Sequence, residues 1–275
     1  MNAGATHAFP LSGPINLSVR LGHGSAVVVA MDDLAEATVE ITPREGTADL
    51  AERMTVEMSG PTLTVHAPRQ GGLADLIAPW RPQGKAGVDV VITVPSGTAL
   101  KAATFTASVT TKGRLAGADV ATGSGTITLD EIDGDLTLRY GSADSSTERV
   151  TGSVVVRSGS GNARFGEVLG DLVSGCGNGR LEVGEVRGNV KARSGAGEAH
   201  LDAVHGDVDL ASGSGPMSIG LPAGVPVKVD VTTGSGTVRS ELPIEERPSS
   251  KAGAITVRAR TGSGDVRLFR AATAA

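Results

Sequence analysis

The sequence is poor in aromatic residues, in cysteine and in long apolar runs. Aromatic side chains make up 2% of its 275 residues, so a core built on large rings is excluded. Its single cysteine, Cys176, excludes an internal disulfide framework. Apolar runs stay shorter than the roughly eighteen residues that a membrane-spanning helix needs, so we expect no transmembrane segment.

The chain also lacks a large excess of charge of either sign. The net charge is −5, and lysine and arginine are scattered singly rather than grouped in a stripe. Nucleic acid is therefore not an expected partner. The first twenty residues show neither the basic stretch nor the continuous apolar run of a signal peptide, so the expected location is the cytoplasm.

Glycine, in contrast, is abundant, with 39 residues. It shows no three-residue period, so regularly spaced turns are expected rather than collagen. The apolar residues are mostly valine, alanine, leucine and isoleucine, which predict a thin core of small side chains that favour strands.

A unit of eighteen residues repeats without insertion between residues 123 and 219. A Gly-X-Gly mark recurs at this step, with alanine once in the third place, and starts at Gly123, Gly141, Gly159, Gly177, Gly195 and Gly213. A second mark, a glycine followed mostly by aspartate or asparagine, starts at Gly134, Gly152, Gly170, Gly188 and Gly206. Self-similarity at a fixed step is the signature of a repeat architecture.

Apolar positions repeat at the same step. Within one unit they are spaced by two, three, four and two residues, at Ile127, Leu129, Ile132, Leu136 and Leu138. A spacing of two indicates a strand with one buried face, so each unit is predicted to hold two strands of about six residues and two tight corners. Stacked equivalent positions then favour an all-β fold, a single-stranded parallel β-solenoid of the β-helix or β-roll kind, with irregular capping ends. An antiparallel meander is the alternative.

The predicted organisation has four parts. Residues 1–66 form N-terminal strands and a cap continuous with the solenoid, with one short helix at Thr47–Arg53. Residues 67–87 form a loop rich in glycine and proline. The solenoid covers residues 88–270, and residues 271–275 are a tail.

The marked residues are interpreted as structural corners. Aspartate and asparagine after glycine bond nearby backbone N–H groups and tolerate unusual turn geometry. The predicted corner residues are Gly123, Gly134, Gly159, Gly170, Asp171, Gly188, Asn189, Gly206 and Asp207. Calcium-binding nonapeptide rolls place aspartate at the sixth position, where this chain has none, so calcium is not expected.

Few residues are candidates for catalysis or for binding a metal or cofactor. His200 and His205, with Glu182 one unit earlier in the column of His200, are weak candidates for a metal site, but exposed imidazoles without a ligand are the favoured interpretation. There is no nucleophile elbow and no phosphate-binding loop. We therefore expect no cofactor and no enzymatic activity.

The loop at residues 67–87 is the expected place for a partner. It holds the only tryptophan of the chain within a small apolar group, and its interaction candidates are Leu73, Leu76, Ile77, Trp80 and Arg81. Long loops in compact domains are usually functional, and tryptophan and arginine are favoured at binding hot spots. The alternative is that these side chains fold back and cap the solenoid.

Three phrases carry a family resemblance: TGSGTITLDEIDGDL, TGSGTVRS and TGSGDVRL. They resemble the bacterial β-strand-repeat family that is named for adhesins and is also described as the toast-rack domain. The resemblance implies a single-stranded β-solenoid, and it implies association with cell-envelope stress or surface attachment. It offers no catalytic residues to carry over.

Three functional hypotheses remain. The first is a non-catalytic scaffold or interaction module that binds an unidentified protein partner. The second is a structural protein that self-associates end to end, because the ends of a solenoid are unpaired sheet edges. The third, less favoured, is a glycan-binding or glycan-active protein, for which the aromatic platforms are scarce.

Overall fold

The computed structural model describes residues 5–44, 47–68, 87–242 and 254–271. Within these ranges the chain forms one short helix, α1 (Ala48–Glu52), and many strands. The strands are β1 Ala5–Pro10, β2 Asn16–Met31, β3 Glu36–Pro43, β4 Thr55–Ser59, β5 Thr62–His66, β6 Val88–Pro95, β7 Ala99–Lys112, β8 Arg114–Leu115, β9 Gly117–Ile132, β10 Leu136–Val150, β11 Val154–Ser160, β12 Ala163–Val168, β13 Leu172–Val186, β14 Val190–Val204, β15 Val208–Ser212, β16 Met217–Leu221, β17 Val227–Thr233, β18 Val238–Ser240, β19 Ile255–Thr261 and β20 Val266–Arg270.

The chain divides into two compact units, residues 1–130 and 131–275. In each unit parallel strands lie side by side, and we call one turn of the chain around such a stack a rung. Successive side chains of a strand point to opposite faces, so equivalent positions of neighbouring rungs form inward and outward columns.

Parallel strands form the centre of the first unit. β2 pairs with β7, with Asn16 opposite Ala99, and β7 pairs with β9 at the eighteen-residue step, with Ala99 opposite Gly117. On its other side β2 pairs first with β5 and then with β6. β2 thus lies between the β5–β6 rung and β7, although β6 and β7 follow each other in the sequence.

Antiparallel strands close one end of this stack. β4 pairs with β5, β3 with β6, and β1 with β3. Val39 and Ile41 of β3 are 0% and 1% exposed, so the inward side of this end is covered. Such a cap protects the open sheet edge from pairing with other chains.

The predicted helix at Thr47–Arg53 is present as α1, a single short turn at Ala48–Glu52. The Thr47 hydroxyl lies 2.7 Å from the carbonyl oxygen of Arg44 and 3.0 Å from that of Gly87, which ties the start of the helix to the chain before β6. In the described ranges no helix is long and apolar enough to cross a membrane.

The second unit repeats every eighteen residues in parallel register. One inward column runs through β10, β11, β13, β14 and β15, with members Leu136, Val154, Leu172, Val190 and Val208. Each member is at most 1% exposed. The prediction of a parallel β-solenoid is therefore confirmed, and the antiparallel meander is wrong for this unit.

The last described segment enters this stack one rung before its end. β15 pairs with β19, with Val208 opposite Val257, and β19 pairs in turn with β17, with Val257 opposite Val229. β20 lies between β16 and β18 in the same way. The order of the rungs therefore differs from their order in the sequence.

The chain bends at the Gly-X-Gly mark, and the bend falls inside a continuous strand in β9, β10, β13 and β14. At Gly159 the mark lies at the end of β11, and at Gly213 it lies between β15 and β16. β13 and β14 are paired through the mark, with Gly179 opposite Gly197. The bend requires glycine because the backbone lies close to the neighbouring rung. A Cβ on Gly179, whose φ is +138°, would be 2.1 Å from the carbonyl oxygen of Gly161.

The second mark lies where the chain turns between strands, at Gly134, Gly170, Gly188 and Gly206. The residue after the glycine bonds the following rung rather than its own turn. Asp171 accepts from the backbone N–H of Asn189 at 2.7 Å, Asn189 accepts from that of Asp207 at 2.9 Å, and Asp207 accepts from that of Thr256 at 2.7 Å. These side chains form a ladder that joins four rungs.

Candidate interaction surface

The outer face of the second unit carries two neighbouring outward columns, which follow the eighteen-residue step as far as β16 and then continue on β20. The first column consists of Ser146, Arg164, Glu182, His200, Ser218 and Arg267. The second column, two residues further along each strand, consists of Glu148, Gly166, Gly184, Asp202, Gly220 and Phe269. Three of the six positions in the second column are glycine, so the surface is lowered there.

The glycines leave an open groove of about 460 Å³. Gly166 and Gly184 form its floor, and Glu148 and Asp202 lie on the rungs at its two ends. One wall consists of the first-column side chains Arg164, Glu182 and His200. A Cβ would lie 2.4 Å from a carbonyl oxygen of the adjacent rung at Gly166 and 2.6 Å at Gly184, so the packing of the strands itself requires a floor without side chains.

A chain of ion pairs fixes the charged side chains beside the groove. Glu182 accepts from Nε of Arg164 at 2.7 Å and from Nη1 of Arg180 at 3.1 Å. Arg180 also reaches Glu198 at 2.8 Å. The hydrogen bond from Arg164, and then that from Arg180, holds the pKa of Glu182 below its ordinary value. Glu182 is therefore an anion at neutral pH and a poor general acid.

An aromatic cluster lies beside one end of the groove. His200 Nε2 is 2.8 Å from Asp202 Oδ1, and the imidazole stacks on the ring of Phe269 with 6.2 Å between the ring centroids. The guanidinium of Arg267 lies 5.5 Å from the centre of the same ring. Gly220 makes room for this arrangement, because a Cβ there would be 2.9 Å from the Phe269 ring.

The two histidines named as weak metal candidates have separate partners. His200 is beside Asp202, whereas His205 Nε2 lies 2.9 Å from Glu185 Oε1. Glu182, the third residue considered with them, is held by two arginines. Among the described residues, no group of three or more His, Cys, Asp or Glu side chains is placed to hold a metal ion.

The candidates for a docking loop lie outside the described residues. Leu73, Leu76, Ile77, Trp80 and Arg81 all belong to the undescribed part of the loop. Their role stays a prediction.

Sequence reasoning missed Phe105, which lies in β7 of the first unit. Its side chain is 66% exposed, and its ring meets that of His23 edge-on with 5.9 Å between centroids. Phe105 precedes Gly123 by eighteen residues, and the register of β2 with β7 places it beside Gly22. Phe105 therefore occupies a position of the bend column that is glycine on the neighbouring rungs. One further step of eighteen residues before Gly123 leads to this position in the sequence.

Several known structures align with this chain over nearly its whole length, but with low sequence identity. A "putative adhesin" from Bacteroides fragilis NCTC 9343 is 14% identical, with 98% of each chain covered and a TM-score of 0.48. A "putative lipid binding protein" from Parabacteroides distasonis ATCC 8503 is 13% identical, with 96% of each chain covered and a TM-score of 0.43. No curated protein sequence matches the chain. At these values no function carries over from either structure.

The family is established by a match along the chain itself. The model of the family described as Toastrack DUF4097 matches residues 16–271, which include every strand of the solenoid from β2 onwards. The chain therefore belongs to the Toastrack DUF4097 family.

Proposed function

We propose that the chain is a non-catalytic interaction module that binds a protein partner in the groove on the outer face of its second unit. The observation that carries this proposal is the groove itself, a glycine-floored depression whose wall side chains are fixed to one another across rungs. The family resemblance adds an expected setting, the cell envelope or its stress response.

The groove is suited to binding because it is already organised. Its floor lies in strands whose neighbouring residues are paired across rungs, with Phe165 opposite Val183 and Val183 opposite Leu201. The Arg164–Glu182–Arg180–Glu198 chain restrains the wall. A partner therefore meets side chains that have already lost much of their rotational freedom, which lowers the entropic cost of association.

The ends of the groove indicate the chemistry of the partner. Glu148 and Asp202 are exposed carboxylates three rungs apart, which is about 14 Å at the usual spacing of neighbouring strands. An extended segment advances about 3.3 Å per residue, so two basic side chains about four residues apart would reach both carboxylates. The fitting partner is an extended segment with lysine or arginine at that spacing.

Catalysis is not supported by the same side chains. Glu182 is held ionised by two arginines, and the His200 imidazole is engaged by Asp202 and Phe269. General acid–base chemistry needs a group poised to exchange protons with a substrate. The arrangement therefore favours recognition over reaction.

A photo-crosslinking amino acid at Ser146 tests the proposal in cells that make the protein naturally, because Ser146 is exposed, lines the groove and is not one of the two carboxylates. The matched control carries the same amino acid at Val173, an outward position of β13 that is 43% exposed and away from the groove. We expect a discrete protein adduct from position 146 and none from position 173, identified by mass spectrometry.

A second variant connects that adduct with the charge of the groove. Asp202→Lys should abolish the adduct at position 146 while the melting temperature stays close to that of the parent, because Asp202 is on the surface. No adduct at position 146, equal adducts at both positions, or an adduct that survives Asp202→Lys would contradict the proposal.

A further inference from the structure

The second unit ends in an open sheet edge at β17. Within the strand pairings of the described residues, β17 has β19 on one side and no strand on the other. This differs from the capped end of the first unit, where antiparallel strands cover the last parallel rung.

Inward side chains are exposed at this edge. Val229 continues the column of Val208 and Val257, which are 1% and 0% exposed, yet Val229 itself is 45% exposed. Val238 of β18 is likewise 45% exposed, while its neighbour Val266 is 1% exposed. The apolar interior of the unit therefore opens to solvent on its last rung.

Backbone groups of the same residues point to the open side. The N–H of Ile255 donates to the carbonyl oxygen of Pro226 at 3.0 Å, so Pro226 faces β19. Because alternate residues of a strand direct both backbone groups to the same side, Val227, Val229 and Val231 direct theirs to the free edge. These three residues offer six hydrogen-bonding groups to an added strand.

On the outer face, a column of alternating charges ends at β17 with a negative side chain. The outward column through four neighbouring rungs alternates in sign, from Lys191 through Asp209 and Arg258 to Asp230. Asp230 lies on the last rung, with its nearest ion pair at 3.8 Å to Arg260. A strand added at this edge would continue the alternation if it placed a positive side chain opposite Asp230.

A second copy of β17 supplies that cation. If two copies pair antiparallel about Val229, the sequence Val-Lys-Val-Asp-Val of residues 227–231 places each Lys228 opposite Asp230 of the other copy. Val229 and its counterpart then form a hydrogen-bonded pair. Lys228 and Asp230 form non-hydrogen-bonded pairs, in which cross-strand side chains approach more closely.

We propose that the chain forms a two-fold dimer in which the β17 edges of two copies pair antiparallel, centred on Val229. The pairing buries exposed valines of both copies, completes the alternating charge column and joins the two sheets. The contact is independent of the groove. It uses up the open edge of each copy, so it predicts a closed dimer rather than a fibre.

Charge swaps tested by sedimentation of the full chain across a range of concentrations address this proposal directly. The parent should pass reversibly from one chain to two as concentration rises. Lys228→Asp or Asp230→Lys alone should weaken the dimer by about tenfold, because two opposite-charge pairs become two like-charge pairs. The double swap Lys228→Asp with Asp230→Lys should restore dimerisation, whereas Arg157→Asp, on an interior rung, should leave it unchanged.

Val229→Pro tests the backbone part of the pairing. Its N–H faces the open edge, so proline there removes no bond within the unit and the melting temperature should change little. The dimer, however, loses its central hydrogen-bonded pair and should not form at concentrations where the parent is dimeric. A monomeric parent at every concentration, open-ended polymers, or a failed rescue by the double swap would overturn the proposal and assign the edge to another occupant.

Discussion

Single aliphatic side chains fill most of the inward positions in each unit, although Phe165 and Thr147 are buried as well. Val186 of β13 is fully buried, with Val168 and Val204 opposite it on the two neighbouring rungs. Small β-branched side chains stack well in this way, because identical shapes repeat at the spacing of the strands. The scarcity of aromatic residues is thus a consequence of the narrow interior.

Two identical substitutions in one strand test this assignment of faces. Val186→Asp should lower the free energy of unfolding by several kcal/mol, because the carboxylate is buried without a partner. Val173→Asp, outward in the same strand and beside Lys191, should change it by less than about 1 kcal/mol. Urea unfolding measures both, and similar losses for the two variants would show that the faces are wrongly assigned.

At the scale of the strand, the glycine bends decide how closely rungs approach. At Gly179 the backbone has a positive φ and lies against Gly161, whereas at Gly175 a Cβ would meet no atom within 4 Å. Both residues belong to β13. Glycine is therefore required at one position of this strand and only permitted at the other.

Gly179→Ala and Gly175→Ala form the matched pair for this claim. Gly179→Ala should cost more than about 2 kcal/mol, because the methyl group overlaps a carbonyl oxygen and φ is unfavourable for alanine. Gly175→Ala should be neutral or slightly stabilising, since alanine loses less backbone entropy on folding. Thermal unfolding of both variants checks the difference, and equal melting temperatures would contradict it.

Among neighbouring strands, the ion pairs on the outer face make the stability of the fold depend on pH. The folded-state pKa of Glu182 is lowered by Arg164 and Arg180, so its contribution to stability is present above the ordinary carboxyl pKa. This contribution is lost as the pH falls through the lowered value. An NMR titration of Glu182 should give a midpoint below the ordinary value, and Arg164→Ala should raise that midpoint. A midpoint that Arg164→Ala leaves unmoved would contradict the pairing.

For the whole molecule, the order of the rungs is the feature that distinguishes it from a simple solenoid. β2, the second strand of the chain, lies one rung inside the capped end of the first unit, and β19 and β20 lie one rung inside the end of the second. These strands are paired on both sides. We infer that this placement holds β2, β19 and β20 against fraying.

The eighteen-residue step could be predicted from the sequence because the glycine marks act between adjacent rungs that follow each other in the chain. The inserted rungs could not, because Val208, Val257 and Val229 are separated by 49 and 28 residues, neither a multiple of eighteen. Nothing local encodes that register.

Parts of the surface were predictable to different degrees. The outward position of Glu182 and His200 follows from alternation along their strands, and both line the groove. The link from Arg180 to Glu198 was not predictable, since it depends on the directions of long side chains across rungs. Phe105 was not predictable from the glycine marks, because their uninterrupted series begins at Gly123, one step after it.

The most direct test of the rung order measures distances between two spin labels in the second unit by double electron–electron resonance spectroscopy. One spin label at residue 139 is paired with a second at residue 211, 260 or 232, in a Cys176→Ser background. These positions share one outward column, in the order 139, 157, 175, 193, 211, 260 and 232. The three separations should be about 19, 24 and 29 Å, so that residue 260 is nearer to residue 139 than residue 232 is. Residue 232 nearer than residue 260, or about twice the predicted distance to residue 211, would contradict the account.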